Sequence, residues 1–358
     1  MDIRQYDRNF ADKQCSDKPN VVWYDIRKAP FRIYGLHDPQ AGSVFTRMPR
    51  PVAKAVSAGV CALSENTAGG RVRFSTDSPY IALRAAMPGL SQMTHMALTG
   101  SSGFDLYLDD AESTVFVSSF RPTADAKTGF AAYIDIAPTD LKHGMNTYTV
   151  NFPLYSGVNA VQIGIEKGYH LGAGAEYRPI APVVYYGSSI TQGGCASRPG
   201  TCYQGFLSRR YNIDYVNLGF SGNARGERAM AEYIASLHMS MFVCDYDHNS
   251  SPEELEKNHY PFYQIIREKH PDLPYLMISK PDIVNFPKEA EKRRQIIRAS
   301  YERAREAGDE KVYFLDGGQM FRSGTDAADC TVDGCHPNDL GFYRMAQAIA
   351  PYIETIFN

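Results

Sequence analysis

Long apolar runs are missing from this sequence. No stretch of its 358 residues approaches the roughly 18 apolar residues that a membrane span needs. Residues 1–7 are polar and lack the apolar centre of a secretory signal peptide. We therefore expect a soluble protein with no membrane association, which is cytoplasmic as the sequence stands and secreted only if a leader has been trimmed from it.

A large excess of charge of one sign is missing as well. The formal net charge is −3, and the lysines and arginines are scattered along the chain instead of forming a stripe. Binding to nucleic acid depends on a basic surface that attracts the phosphate backbone. Nucleic acid is therefore excluded as an expected partner.

An even set of cysteines is missing, because the seven cysteines are an odd number in a chain of this length. This count favours reduced thiols over a disulfide framework. Cys195 and Cys202 are close in sequence and could pair under oxidising conditions, although packing thiols are the favoured interpretation. Cys330 and Cys335 stand near His336 but lack the paired spacing of a structural zinc site. We predict no metal and no organic cofactor.

The length favours two domains, because one core rarely extends over so many residues. Over residues 21–167, short segments alternate apolar and polar residues between Gly, Pro, Asn and Asp. This pattern predicts an antiparallel β-sandwich of jelly-roll type over residues 1–178. The predicted strands are 71–75, 80–84, 104–108, 113–117, 147–151 and 160–165.

After residue 180 the pattern changes to compact apolar runs separated by helical segments. Such runs are typical of a parallel sheet that is covered on both faces, so we predict a three-layer α/β domain over residues 179–358. The predicted strands are 183–186, 215–218, 241–244, 275–278 and 312–315, and the predicted helices are 203–211, 227–237, 252–269, 288–306 and 339–357. Ligands bind such sheets at the carboxyl ends of the strands.

A pair of serines follows the first of these strands. Ser188 and Ser189 come directly after Gly187 and shortly before Gly193 and Gly194. A serine on such a turn can lie at the positive end of a helix, with its backbone N–H directed at a developing oxyanion. Turns of Gly and Ser after strands are also common without any function. The serine pair therefore indicates catalysis only if other catalytic groups accompany it.

Two further groups end the next strands. Gly222 follows the second strand; because it has no Cβ, its N–H can approach a ligand closely, although an ordinary turn glycine fits as well. Asn249 follows the third strand, where its amide either donates to an oxyanion or caps the next helix.

Asp333 and His336 precede the last predicted helix. An imidazole can take the proton of a serine when a carboxylate fixes its tautomer, and an aspartate three residues earlier in a tight loop can reach its other nitrogen. An isolated Asp-x-x-His pair would mean little. Four such groups in this order, each at a strand end or loop of a parallel sheet, indicate catalysis by a serine nucleophile.

The order of these blocks resembles the SGNH hydrolases, the GDSL type of serine esterase, whose Ser, Gly, Asn and His occupy four sequence blocks. The matching residues are Gly187-Ser188-Ser189-Ile190-Thr191, Gly222, Asn249 and Asp333-Gly334-Cys335-His336. Residues 93–107 are similar to the GxDLY segment of the β-sandwich domain that precedes one branch of these enzymes. The two resemblances together cover nearly the whole chain.

The resemblance implies a role for each of these residues. Ser189 would be the nucleophile, His336 the general base and Asp333 the residue that orients it. The oxyanion hole would consist of the Ser189 and Gly222 N–H groups and the Asn249 side chain.

Two positions depart from the family pattern. Ser188 stands where the family has aspartate, so the nucleophile is chosen from a serine pair by the register of the motif. Residues 245–249 replace the usual Gly-x-Asn-Asp block, which places Asp247 and His248 beside Asn249.

The implied reaction is hydrolysis of O-acyl esters, with O-acetyl groups on carbohydrates as the leading substrate class. An acylated oligosaccharide or another small ester is therefore the expected partner. One alternative is transfer of the acyl group to a sugar or natural-product hydroxyl; another is a carbohydrate-binding protein with a degenerate hydrolase domain. His95 either contacts substrate between the domains or is a buried structural histidine, and the usual burial of histidine favours the second role.

Overall fold

The structure is a computed structural model, which describes residues 6–7, 15–109, 114–123, 125–136, 144–281, 287–321 and 327–357. Most of the polar segment 1–7, and Ser113 at the start of one predicted strand, lie outside these ranges. Within them, no helix is both long enough and apolar enough to cross a membrane.

Antiparallel strands dominate the first part of the chain. In order they are β1 (Val21–Asp25), β2 (Arg32–Tyr34), β3 (Arg71–Thr76), β4 (Tyr80–Ala86), β5 (Phe104–Asp109), β6 (Thr114–Phe120), β7 (Gly129–Asp135), β8 (Asn146–Asn151), β9 (Ala160–Glu166) and β10 (Leu171–Ala173). One sheet has the order β1-β9-β4-β7, and the other has the order β10-β3-β8-β5-β6 with β2 also paired to β3.

Alternate residues of the two sheets enter one apolar core. Val72 and Phe74 of β3 are fully buried in the same cluster as Ile81 and Leu83 of β4. Successive side chains of a strand point to opposite faces, so the period-two pattern of the sequence produces this arrangement. The antiparallel β-rich region is confirmed; the sandwich packing and the jelly-roll connection stay predictions.

The other face of β3 joins this region to the second half of the chain. Arg71 and Arg73 alternate with the core residues of the strand and are buried too. The Arg71 guanidinium donates to the Asp214 carboxylate, and also to the Tyr215 carbonyl oxygen at 3.2 Å. This face of the sheet is therefore an internal contact surface.

The second half contains a parallel sheet with the order β12-β11-β13-β14-β15. Its strands are β11 (Val183–Gly187), β12 (Tyr215–Gly219), β13 (Met241–Asp245), β14 (Tyr275–Ile278) and β15 (Val312–Leu315). Val184 and Tyr186 enter one apolar cluster, whereas Val183 and Tyr185 enter another on the opposite face. Burial on both faces explains the continuous apolar runs, and the predicted five-stranded parallel sheet is confirmed.

The helices of the structure, in chain order, are α1 (Arg50–Val56), α2 (Ala58–Leu63), α3 (Leu98–Ser101), α4 (Ser189–Gln192), α5 (Tyr203–Tyr211), α6 (Arg228–Ala235), α7 (Pro252–Lys269), α8 (Pro287–Glu306) and α9 (Asp339–Phe357). The pair α1 and α2 was not predicted. Ala53 and Val60 of this pair are fully buried in the same cluster as Met230 and Ile234 of α6. Two helices from the first part of the chain therefore share the apolar core on one face of the parallel sheet, and a domain boundary between residues 178 and 179 stays a proposal.

Candidate active site

The turn after β11 holds its two serines in different environments. Ser188 is the N-cap of α4: its Oγ accepts a hydrogen bond from the Ile190 N–H at 3.2 Å, and only 1 % of its surface is exposed. Ser189 is the first residue of the helix and is 7 % exposed. Aspartate and serine are both favoured N-cap residues, which explains why serine can stand where the SGNH pattern has aspartate.

Ser189, His336 and Asp333 form a continuous hydrogen-bonded series. Ser189 Oγ lies 2.9 Å from His336 Nε2, and His336 Nδ1 lies 2.8 Å from Asp333 Oδ2. Asp333 Oδ1 also accepts the backbone N–H of His336 at 2.8 Å. Because the carboxylate can only accept, the imidazole proton belongs on Nδ1, and Nε2 is left to accept from the serine hydroxyl.

The carboxylate of this series is held in its ionised form. Burial by itself would raise the pKa of Asp333, but hydrogen bonds from the backbone and ring of His336, together with the charge of that ring, lower it to about 2. Asp333 is therefore a carboxylate throughout the neutral pH range, as an orienting partner of an imidazole must be.

Gly222 and Asn249 lie on loops that are tied to α4. Gly222 has a left-handed φ of +68°, and a Cβ built there would meet no atom within 4 Å, so the turn conformation rather than crowding favours glycine. Asn249 Nδ2 donates to the Phe220 carbonyl oxygen at 3.1 Å. The Ser221 N–H donates to Gln192 Oε1, at the end of α4, at 3.0 Å.

The alternative role of Asn249 as a helix cap is wrong. The N-cap of α7 is Ser251, whose side chain accepts the Glu254 N–H at 3.2 Å. Asn249 instead ends a short 3-10 turn, Asp247–Asn249, and its amide has a second N–H beyond the one given to Phe220. The oxyanion-hole roles of Ser189, Gly222 and Asn249 stay predictions.

The residues before Asn249 are deeply buried. Burial raises the pKa of Asp245 well above its usual range and that of Asp247 to about 6. Burial, reinforced by neighbouring positive charges, lowers the pKa of His248 well below its usual range. Asp245 Oδ2 accepts the Thr191 hydroxyl of α4 at 3.1 Å, so this buried carboxyl group supports the helix on which Ser189 lies.

His95 lies beside the hydrogen-bonded series, with its ring centroid 5.8 Å from that of His336. It is exposed, so the expectation of a buried structural histidine is wrong. Met93 and Met96 pair across the tight turn that contains it, and Met96 is buried in its place. The average burial of histidine in proteins does not show which side chains of this turn face the interior.

The thiol of Cys195 lies in the same place. One ligand atom from each of His95, Cys195 and His336 lies within 4.8 Å of the other two, close enough to hold a metal ion. Burial, together with nearby negative charge, raises the pKa of Cys195 to about 12. The sequence did not reveal this trio, because its members come from three distant segments.

Cys335 and Cys330, which flank the same loop, have other contacts. Cys335 Sγ contacts His248 Nε2 at 3.3 Å, and Cys330 is buried in an apolar cluster. Cys195 and Cys202 are separate, buried and free, so no disulfide joins them, and their role as packing thiols stays a prediction.

Arg47, which belongs to no sequence motif, supports the end of β12. It is 1 % exposed and lies over the Phe220 ring, with its guanidinium carbon 4.6 Å from the ring centroid. Its guanidinium donates to the carbonyl oxygens of Asn217, Gly219, Leu63 and Asn66 at 3.1, 2.6, 2.6 and 2.8 Å. One arginine in an irregular segment leaves no periodic signal, so only the fold reveals its position.

Both halves of the chain hold the loop 193–202, which follows α4. Asp105, from the GxDLY-like segment, is fully buried and accepts the Gly200 N–H at 2.7 Å. Asp339, at the start of α9, accepts the Ser197 N–H at 2.8 Å and the Thr201 hydroxyl at 2.7 Å. The aspartate of the GxDLY-like segment therefore has a structural task at the junction.

Two family models match the sequence. Residues 180–354 match the GDSL-like lipase/acylhydrolase family, and residues 21–171 match the GxDLY model, described as the N-terminus of SGNH-hydrolase-type esterases. None of the curated proteins compared with the chain matches it.

Solved structures resemble nearly the whole chain, and each of the following covers 94% of it and 98% of its own chain. A candidate GDSL-like lipase from Bacteroides ovatus is 28% identical with a TM-score of 0.84. The salicylyl-acyltransferase SsfX3 of a tetracycline biosynthetic pathway is 19% identical with a TM-score of 0.72. An acetyl xylan esterase from the rumen bacterium Butyrivibrio proteoclasticus is 12% identical with a TM-score of 0.58. The last two comparisons show a common fold.

Proposed function

Residues 180–354 of the chain belong to the GDSL-like lipase/acylhydrolase family and follow an SGNH-esterase-type N-terminal region, and from this premise we propose a serine esterase that hydrolyses O-acetyl esters of carbohydrates. The observation that carries the proposal is the hydrogen-bonded series in which Ser189 Oγ lies 2.9 Å from His336 Nε2 and His336 Nδ1 lies 2.8 Å from Asp333 Oδ2. The distance between Ser189 Oγ and His336 Nε2 lies within the range for transfer of a proton to a general base.

In the first half of the reaction, Ser189 Oγ bonds to the ester carbonyl carbon while its proton moves to His336 Nε2. Collapse of the tetrahedral intermediate breaks the bond to the sugar oxygen, which takes that proton and leaves as the alcohol. In the second half, water attacks the acyl-serine with His336 again as base, and the acid leaves. Asp333 stabilises the imidazolium in both halves.

The negative charge of each tetrahedral intermediate would lie between the Ser189 and Gly222 N–H groups and the Asn249 amide. Such donors act because they are oriented before the charge develops, and the loss of one typically costs about 10²–10³ in turnover. The bonds from Asn249 to Phe220 and from Ser221 to Gln192 supply that orientation.

Hydrolysis is favoured over transfer by the exposure of the site. The side chains of His336 and Asp333 are 23% and 35% exposed. Water can therefore reach the His336 imidazole, which would activate it for attack on the acyl-serine. The fold is shared with a salicylyl-acyltransferase, which keeps transfer to a sugar or natural-product hydroxyl as the second candidate.

The carbohydrate substrate is supported by two observations. The fold is shared with an acetyl xylan esterase, and the exposed ring of His95 stands beside His336, where it can contact a sugar bound across the site. We assign residues 1–178 to a β-sandwich domain that forms one wall of this cleft and residues 179–358 to the catalytic domain.

The test is the release of acetate from a panel of acetylated oligosaccharides, with 4-nitrophenyl acetate as a generic ester. We expect turnover of both, with higher kcat/KM on the acetylated sugars. Addition of an alcohol acceptor separates the two candidates, because a transferase would form the new ester faster than free acetate. Absence of turnover on every ester, with or without an acceptor, would contradict both.

A further inference from the structure

Cys195 and His95 take no proton in the proposed reaction, yet both lie against the imidazole that does. We propose that Cys195, His95 and His336 form a binding site for a soft divalent cation such as Zn²⁺, and that the bound cation reversibly inhibits the esterase. The binding site stands on geometry alone, whereas the inhibition rests on the proposed function.

The spacing of the three side chains suits a tetrahedral ion. One ligand atom from each lies within 4.8 Å of the other two. Zinc bonds of about 2.3 Å to sulfur and about 2.0–2.1 Å to nitrogen place ligand atoms roughly 3.3–3.6 Å apart. His95 is exposed, so rotation of its side chain can supply the remaining movement.

The donor set selects the class of ion. A thiolate and two imidazoles are ligands for borderline and soft cations, whereas Mg²⁺ and Ca²⁺ prefer oxygen. Binding breaks the Cys195 S–H bond, forms a sulfur–metal bond and releases the proton to solvent. No change of oxidation state is involved.

His336 is already oriented as a metal-bound histidine would be. Its Nδ1 is bonded to Asp333 Oδ2 at 2.8 Å, and histidine ligands of metals commonly donate their second N–H to a carboxylate in this way. Nε2 is therefore the nitrogen that remains, and it is the same atom that lies 2.9 Å from Ser189 Oγ.

Cys195 is held in place by the backbone. Its N–H donates to the Pro337 carbonyl oxygen at 2.8 Å, directly after His336 in sequence. The loop that carries the thiol and the loop that carries the imidazole are thus fixed to each other, which keeps these two ligands close together.

The consequence for catalysis follows from the shared nitrogen. A cation on His336 Nε2 occupies the lone pair that would accept the Ser189 proton, so the general base is lost while the ion is bound. Removal of the ion restores it. The bound ion is therefore an inhibitor and takes no part in ester hydrolysis.

Cobalt reports the site directly, since a thiolate bound to Co²⁺ gives a near-ultraviolet charge-transfer band. We expect Co²⁺ to produce this band in the full chain, saturating at one ion per chain, and Zn²⁺ to abolish it. Cys195→Ser should lose the band. Cys335→Ser is the matched control, because its thiol is also beside His336 but bonds to His248, and it should keep the band.

A second variant guards against misfolding of Cys195→Ser. His95→Gln changes an exposed side chain and should weaken Co²⁺ binding by more than about 100-fold, because even outer partners of a metal ligand are worth about 10–100-fold. A band that persists in Cys195→Ser, disappears in Cys335→Ser or is unaffected in affinity by His95→Gln would overturn the site.

Activity is measured separately on 4-nitrophenyl acetate. Zn²⁺ should abolish turnover by the full chain and EDTA should restore it, while Cys195→Ser should retain turnover and need more than about 100-fold more Zn²⁺ for the same inhibition. Zn²⁺ binding without loss of turnover would overturn the inhibition. A cobalt band in a protein that turns over no ester would refute the esterase and leave the metal site standing.

Discussion

Ser188 and Ser189 are adjacent, but their hydroxyl groups have different partners: the Ile190 N–H for Ser188 and His336 Nε2 for Ser189. We predict that Ser189→Ala abolishes ester hydrolysis and leaves the fold unchanged. Ser188→Ala should remain active and lose about 1 kcal/mol of unfolding free energy, since it removes a helix cap. Turnover of 4-nitrophenyl acetate and urea unfolding measure the two effects. If Ser188→Ala is the inactive variant, the register of the motif is wrong.

Asp247 makes stability depend on pH in a defined direction. Burial raises its pKa to about 6 from 3.8, so the folded chain keeps a proton that the unfolded chain has released. The stabilisation is complete below about pH 4 and is lost as the pH rises through about 6, a change on the order of 3 kcal/mol.

Asp247→Asn removes the titrating group and nearly keeps its shape. We expect urea unfolding measured across this pH range to give a flatter profile for the variant than for the parent chain. Parallel profiles would mean that Asp247 titrates normally.

The elements that the sequence located best are those whose pattern is long or continuous. The predicted helices 252–269 and 339–357 coincide with α7 and α9. The five parallel strands were found because both of their faces are buried. The short pair α1 and α2 was missed, since seven and six residues are too few for a helical period to stand out among strands.

The part of the candidate site that could be predicted consists of residues that follow strand ends in the order of the SGNH sequence blocks. The sequence placed Ser189, His336 and Asp333 at the edge of the sheet, where the structure brings them together. It could not place Arg47 or Cys195. Their contacts depend on how distant segments pack, and packing of that kind leaves no local pattern.

Substitution of Arg47 tests whether α1, α2 and the segment before them influence the end of β12. Its bonds to Asn217 and Gly219 hold the end of β12, from which the Gly222 loop departs. We predict that Arg47→Met lowers kcat on 4-nitrophenyl acetate by up to about 100-fold with little change in KM, since small misplacements near the reacting atoms have effects of this size. Arg47→Lys, which keeps a donor, should lose less.

Thermal unfolding of the same Arg47 variants provides the control. Buried carbonyl groups left without a donor cost about 1–3 kcal/mol each, so both variants should also unfold at lower temperature. A loss of stability without a loss of kcat would show that Arg47 supports the fold alone.

At the scale of the whole molecule, the two halves share cores and buried polar contacts. Ala53 and Val60 pack with the parallel sheet, and Arg71 and Asp105 cross between the halves. We therefore predict a single cooperative unfolding transition in calorimetry, with no separate melting of the antiparallel region.

Phe104→Ala tests this prediction within the antiparallel core. Phe104 is fully buried there, and its truncation costs about 3–5 kcal/mol. One transition, shifted as a whole to lower temperature, is the expected result. Division into two transitions, one of them unshifted, would show that the halves unfold independently.

The anchoring of the loop 193–202 by both halves of the chain has a consequence for protein engineering. Because Asp105 of β5 and Asp339 of α9 both anchor this loop, its path is set by residues that need not touch any substrate. Libraries that randomise only the rim of the cleft would leave that path unchanged. Selection for new ester preferences should therefore vary β5 and the loop together.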